Sequence, residues 1–301
     1  MRILMPIDGS THSKAALAFI ASRSTLIKSQ PDVELLNVQH PVSSRVARAA
    51  GRELVRFHHE SEAGKVIKPA LAALKRAGLR AQSRAVVGSP GAEVGRIAAE
   101  DAADLIVMGS HGHTGFKSLR FGSVTLAVLA SCNTPLLVLR SDAVPKKDSL
   151  KLGIALDGSK YGLAAVRYVI RHRELFGATP LVTLIHVVPD LLNLVVPGFF
   201  ADLPVPGFTP EQVAEMQRAA FERAMAPARN LLQVAGLECT EAQLTGNRPG
   251  DVIAAYATKS KLAVLTLGSR GTGGLGSALF GSVATRVATK CRNALLFIHE
   301  R

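Results

Sequence analysis

One stretch of this chain constrains the rest because it occurs twice with the same internal spacing. Met108-Gly109-Ser110-His111-Gly112, nine further residues and then Gly122-Ser123-Val124-Thr125 form the first copy. The second is Leu267-Gly268-Ser269-Arg270-Gly271, again nine residues, then Gly281-Ser282-Val283-Ala284. Each copy follows a short apolar run, 104–108 or 262–267, and precedes a helix-like stretch, 124–130 or 283–289. That context predicts a strand, a glycine loop and a helix start. Glycine tolerates positive φ and has no Cβ, so such a loop can bring several backbone N–H groups to one anion. The next helix adds unpaired donors, a partial positive charge and a Ser or Thr hydroxyl. A polyphosphate is the natural guest. A single string of this kind would say little, since glycine loops after strands are common; two copies with equal spacing say much more.

The duplication extends beyond the loops. Leu152-Gly153-Ile154-Ala155-Leu156-Asp157-Gly158-Ser159 repeats Ile3-Leu4-Met5-Pro6-Ile7-Asp8-Gly9-Ser10. Asp157 follows Asp8 by 149 residues and Val187 follows Val38 by the same 149, whereas the glycine loops and the pair Cys132 and Cys291 are 159 apart. The second half therefore carries a net insertion of ten residues between Val187 and Gly268, placed by its breakers and apolar runs at 189–210. Packing of that segment onto its own domain is the expectation, because an exposed apolar patch of that size would aggregate. A repeat on this scale predicts two similar folds about a pseudo-twofold axis, one chain doing what a homodimer would do. The boundaries are 1–145 and 146–301, with Ser141 to Ser149 as linker.

Within the first half, strands are expected at 2–7, 33–39, 80–87, 104–108 and 135–139. Helices are expected at about 13–28, 43–77 and 90–102, and after the glycine loop. Strands alternating with helices argue for a parallel sheet covered on both faces and wound by right-handed crossovers. Such sheets bind ligands at the carboxyl ends of strands, where strand order reverses. Asp8 lies just past the end of the first strand and faces the Gly109 loop if strands one and four are neighbours. Its carboxylate then either accepts hydrogen bonds from a ribose or base, or helps hold a metal, or makes an ordinary Asx turn or helix cap; the residues leave these readings open.

Composition narrows the class. With 301 residues, 48% hydrophobic and 20% charged, the chain is a folded protein of about two domains. No apolar run reaches the ~18 residues of a membrane span, and the apolar start is closed by Asp8 before it becomes a signal-peptide core, so a cytoplasmic location is expected. Cys132, Cys239 and Cys291 are odd in number and widely spaced, which fits small core side chains better than a disulfide or metal framework. The net charge of +13 favours anionic partners without choosing among nucleic acid, lipid and nucleotide. Arg45, Arg48, Arg52 and Arg56 recur at helical spacing and are read as a solvated helix face.

Taken together, the doubled Asp-Gly-Ser start, the Gly-Ser-Pro or Gly-Asn-Arg-Pro turn before the third helix, and G-x-x-G-x9-G-S after the fourth strand resemble the universal stress protein family in its tandem form. The resemblance covers nearly the whole chain, and the glycine motif is that of the ATP-binding branch. It implies two doubly wound α/β domains, each a five-stranded parallel sheet in the order 3-2-1-4-5, paired along their fifth strands. ATP, with or without Mg²⁺, would lie in the crevice at strands one and four. The implied first site is Asp8 and Val38 around the adenosine, with Met108, Gly109, His111, Gly112, Gly122, Ser123, Val124 and Thr125 around the phosphates. The implied second site is Asp157, Val187, Leu267, Gly268, Arg270, Gly271, Gly281, Ser282 and Val283. Ala284 stands where the first motif has Thr125, so a hydroxyl is missing, while Arg270 supplies a permanent charge where His111 is mostly neutral.

Competing motifs are weaker. Gly271-x-Gly273-x-x-Gly276 matches a dinucleotide fingerprint in letters only, in the wrong place, and Phe116-Lys117-Ser118 lacks the glycine a P-loop requires. His111-x-His113 lacks further ligands for a metal. No catalytic residue is assigned, since a hydrolase would want a base and a carboxylate-held Mg²⁺ near the γ-phosphate. The expectation is a stress-response or regulatory protein in which nucleotide occupancy controls conformation or partner binding, with no membrane partner. The alternatives are a nucleotide-independent module whose basic surface binds nucleic acid or anionic partners, and a slow ATPase. Further homodimerisation is left open.

Overall fold

The computed structural model describes residues 1–27, 31–111, 121–140, 144–145, 147–191, 209–269 and 281–299. In the first half, β1 (Arg2–Pro6), α1 (Thr11–Ser22), β2 (Asp32–Gln39), α2 (Ser44–Ala50), α3 (Arg52–Arg76), β3 (Ala81–Val87), α4 (Pro90–Glu100), β4 (Leu105–Gly109), α5 (Ser123–Ser131) and β5 (Leu136–Leu139) follow in order. The second half repeats the plan. Its elements are β6 (Lys151–Ala155), α6 (Lys160–Arg171), β7 (Leu181–Val188), α7 (Pro210–Val234), β8 (Cys239–Thr245), α8 (Pro249–Lys259), β9 (Val264–Gly268), α9 (Ser282–Lys290) and β10 (Ala294–Ile298). A short 3₁₀ turn, Arg173–Phe176, follows α6.

The ten strands among the described residues join one sheet in the order β3-β2-β1-β4-β5-β10-β9-β6-β7-β8. Each half has the expected order and is parallel throughout, and the halves meet through β5 and β10, which run antiparallel with Leu137 opposite Leu296. A twofold relation across an antiparallel strand pair puts corresponding helices on the same face of the sheet. Phe19, Ile67, Val169 and Met225, from α1, α3, α6 and α7, accordingly share one core. Ile97, Val128, Ala257 and Val287, from α4, α5, α8 and α9, share the other. Strands β4, β5 and β10 are buried at every residue because helices cover both faces, whereas the outer strands β3 and β8 are only partly covered.

The seam between halves also carries polar contacts. The Tyr168 hydroxyl donates to the Asp104 carbonyl at 3.2 Å. Arg23, wholly buried, donates from Nη1 to the Asp148 carbonyl in the linker at 3.4 Å, and Arg140 donates from Nη2 to the Ala288 carbonyl of α9 at 3.5 Å. The cysteines are free thiols, Cys132 and Cys291 buried and Cys239 half-buried.

Two helices differ from the sequence expectation. The first stops at Ser22 and not near residue 28, the chain turning through 23–27. The long segment expected as one helix over 43–77 breaks at Gly51, whose φ of +80° only glycine holds without strain. The break gives a short α2 that buries none of its residues.

Candidate functional site

In each half the crevice forms where the sheet order reverses, between the carboxyl ends of the first and fourth strands. Leu4 pairs with Ile106 across β1 and β4, and Ala155 with Leu267 across β6 and β9. Asp8 and Asp157 sit just past the ends of β1 and β6. Asp8 Oδ1 accepts from Ser10 N–H at 3.0 Å and Asp157 Oδ1 accepts from Ser159 N–H at 3.0 Å, so both make Asx turns. Gly9 and Gly158 take φ of +82° and +80° inside these turns. Ser10 and Ser159 then cap α1 and α6 with their hydroxyls.

The turns are tied to the next strand by residues the sequence reading passed over. Asn37 Nδ2 donates to the Ile7 carbonyl at 2.9 Å, and His186 Nδ1 lies 2.7 Å from the Leu156 carbonyl. The carbonyl accepts, so His186 carries its proton on Nδ1. These two polar residues are themselves 149 apart, immediately before Val38 and Val187, and that repeat offset was the available signal. Val38 and Val187 are half-buried near the ends of β2 and β7, paired with Val86 and Leu244 of the neighbouring strands.

The fourth strands run into the glycine loops. Ser110 N–H donates to Leu139 O and Gly122 N–H to Ser110 O, both at 2.8 Å; Ser269 and Gly281 do the same with Ile298 O at 2.8 Å and Ser269 O at 2.7 Å. Each loop is thus closed at its base, and the serine helix starts are brought beside the strand ends. Gly109 and Gly268 are required by close approach. A Cβ at Gly109 would lie 2.5 Å from the carbonyl carbon of His12, and one at Gly268 would lie 2.8 Å from Tyr161 Cβ. The first glycine of each motif therefore lets the head of α1 or α6 press onto the strand end. His12 and His111 rings meet there, centroids 5.2 Å apart.

Gly122 and Gly281 are the N-cap residues of α5 and α9, and neither helix has a side-chain cap bond or an acidic residue in its first turn. Every other described α-helix has one or the other: Ser10, Ser43, Ser159 and Thr209 cap α1, α2, α6 and α7, while Glu53, Glu93 and Asp251 open α3, α4 and α8. The backbone amides of Ser123, Val124, Ser282 and Val283 are thus the donors that α5 and α9 leave for a partner outside the helix.

Thr125, expected beside the phosphates, is buried, and its hydroxyl donates to the Gly109 and Ser110 carbonyls at 3.2 and 3.3 Å. It fastens the helix to the loop instead of pointing outward. Ala284 has no such bond to make, and Thr285 turns back on its own helix, donating to the Gly281 carbonyl at 2.9 Å. Gly112, Arg270 and Gly271, like Lys117 and the insertion residues 192–208, lie outside the described residues. Among the described residues no group of three or more His, Cys, Asp or Glu is placed to hold a metal ion.

A family model described as "Universal stress protein family" matches residues 1–140 and again 150–299. The chain belongs to the universal stress protein family. Universal stress protein MJ0577 of Methanocaldococcus jannaschii is 30% identical over 154 residues, 46% of this chain and 94% of that protein. A universal stress protein from Archaeoglobus fulgidus is 19% identical but covers 99% of this chain and 98% of its own, with a TM-score of 0.70, so the tandem architecture itself recurs. A family protein from Arabidopsis thaliana with AMP bound is 17% identical, covering 50% of this chain and 92% of its own with a TM-score of 0.36, too weak a likeness to place a ligand here. No helix among the described residues of this universal stress protein is long and apolar enough to cross a membrane.

Proposed function

We propose that each half of this universal stress protein, 1–145 and 146–301, is a nucleotide-binding domain that holds ATP at the crevice between its first and fourth strands. One observation carries the reading. Among the described helices, α5 and α9 begin with neither a side-chain cap nor an acidic residue, and both begin at the closed base of a glycine loop at a switch point of the sheet. A triphosphate supplies the missing acceptors and the negative charge at those helix starts. Asp8 with Val38, and Asp157 with Val187, lie across the crevice where the ribose and base would sit. Any Mg²⁺ would arrive with the triphosphate. The role that follows is regulatory: occupancy sets conformation or partner choice in a stress response, with at most slow hydrolysis.

Protein purified without added nucleotide, then denatured and analysed by chromatography, releases ATP or ADP on this reading. Calorimetric titration gives up to two ATP per chain, and Asp8→Ala combined with Gly122→Ala removes the first-half site. No release and no binding up to millimolar ATP rejects the proposal.

A further inference from the structure

A cavity of about 410 Å³ lies between α2, the first turns of α3 and the carboxyl ends of β2 and β3. We propose that it is a second ligand site, specific to the first half, for a small organic anion: a carboxylate, sulfonate or phosphate carried on an apolar body. Ala47, Val55, Ala85, Val86 and Val87 make its walls apolar, and Arg52, Arg56, His59, Glu60 and Gln39 bring the polar groups. Its volume is in the range of small-molecule pockets, which pair apolar walls with a few placed polar groups.

The break at Gly51 builds it. A continuous helix over 43–77 would carry residue 47 away from the sheet; the positive φ at Gly51 lets α2 turn and roof the space above β2 and β3. Arg52 and Arg56 are one turn apart on α3, so both guanidinium groups reach the same cavity, and their planar forks suit an oxyanion. Arg56 pairs with Glu60 at 3.6 Å, both largely exposed, an ion pair weak enough for a ligand anion to replace. Arg52 has no carboxylate within ion-pair distance among the described residues. His59 is held in one orientation: Gln39 Nε2 donates to the His59 carbonyl at 2.9 Å and to Asn37 Oδ1 at 3.2 Å. That fixes Gln39 Oε1 as the acceptor of His59 Nδ1–H at 2.7 Å and leaves Nε2 to accept or, when protonated, to donate.

Among the described residues, the second half lines the corresponding corner differently. Helices α3 and α7 have equal length, and their buried residues Ala63, Ile67, Ala70 and Leu74 correspond to Phe221, Met225, Ala228 and Leu232 at a constant offset. On that register Arg52 becomes Pro210, Arg56 becomes Ala214, Glu60 becomes Arg218 and His59 becomes Gln217. Val213, the counterpart of half-buried Val55, is only 3% exposed, and Gln217 Nε2 donates at 2.8 Å to the Pro189 carbonyl of its own chain. One copy ties this corner down with its own backbone; the other leaves it lined with cations. Asp8 and Val38 do not line the cavity, whereas Gln39 and Val86, the chain neighbour and strand partner of Val38, do, so competition with ATP is part of the test.

The test uses the full chain with two probes, decanoate by calorimetry and anilinonaphthalene sulfonate by fluorescence. One probe per chain is expected, with affinity weakened about tenfold by Arg52→Ala or Arg56→Ala, the order expected for loss of a charge-assisted hydrogen bond. Ala47→Phe, which fills the cavity and keeps both arginines, abolishes binding. Saturating ATP leaves probe affinity unchanged. No binding at millimolar probe, binding indifferent to all three substitutions, or competitive displacement by ATP would each overturn the proposal, the last by showing the cavity to be part of the nucleotide crevice. Unfolding transitions of the variants matching the parent confirm that their losses are local.

Discussion

Phe121, the residue before Gly122 at the head of α5, meets Phe297 of β10 edge to face, with ring centroids 6.4 Å apart and planes at 78°. The Arg140 guanidinium lies over the same Phe121 ring, 5.1 Å from its centre, and reaches on to the Ala288 carbonyl of α9. The base of the first glycine loop is therefore packed against the second half of the protein. Since Phe121 is 3% exposed and Phe297 wholly buried, Phe121→Ala should cost about 3–5 kcal/mol in denaturant unfolding. Phe121→Leu should cost much less. Equal losses for the two would mean that the ring geometry, and not buried volume, holds the seam.

The contact of Gly109 with the head of α1 leads to a second expectation. A methyl group there meets the His12 backbone, which cannot swing aside as a side-chain tip could. Gly109→Ala should destabilise the fold by about 1–3 kcal/mol, the range for overpacking, and push α1 off the strand end. Gly268→Ala meets Tyr161 at slightly longer distances and should cost less. If ATP occupies both crevices, each substitution lowers the stoichiometry by one site, leaving the other half's affinity unchanged in calorimetry.

Much of this could be read from the chain because the repeat reports on itself. The pair Asp8 and Asp157 marks where each first strand ends, and the paired glycine loops mark where each fourth strand ends; the order of the strands was legible only through the family resemblance, and the pairing of β1 with β4 and β6 with β9 agrees with it. What escaped the reading depends on single torsions and donors. Nothing in the run around Gly51 says whether glycine is tolerated within a helix or breaks it; the φ of +80° decides, and with it the cavity roof. Thr125 looks like a phosphate ligand by position, yet its side chain faces the loop carbonyls, a direction that spacing cannot report. Asn37 and His186 are polar residues in otherwise apolar strands, and only the structure names the carbonyls they hold.

The role of Thr125 as a fastener makes a third prediction. Thr125→Ala removes the buried hydroxyl shared between the Gly109 and Ser110 carbonyls, the second of which keeps its bond from Gly122 N–H, and should cost roughly 1–2 kcal/mol, while Thr125→Ser, which keeps the hydroxyl, should cost little. The converse change, Ala284→Thr, offers α9 the same bond to the Gly268 and Ser269 carbonyls. If the hydroxyl organises the loop for nucleotide, Thr125→Ala weakens ATP binding in the first half, and Ala284→Thr strengthens it in the second. Calorimetry with the other site disabled separates them, and no change in affinity for either variant would confine Thr125 to stability.

Acid sensitivity should come in part from the seam at His172. Its ring meets Tyr168 in a tilted contact, centroids 4.4 Å apart and planes at 46°, and burial lowers its pKa below the ordinary 6.5, opposed by the Asp104 carboxylate and reinforced by Arg171 and the amino terminus. A base with a lowered folded pKa binds its proton more readily in the unfolded chain. Its contribution to stability is therefore fully present above pH 6.5 and is lost as pH falls from there through the lower folded value. The slope cannot exceed about 1.4 kcal/mol per pH unit for one proton, and partial exposure of the ring keeps it below that ceiling. His172→Gln, which cannot titrate, should flatten the stability profile below pH 6.5 relative to the parent, measured by urea unfolding at a series of pH values. Parallel profiles would show that the ring is proton-accessible in the folded chain and that other groups set the acid limit.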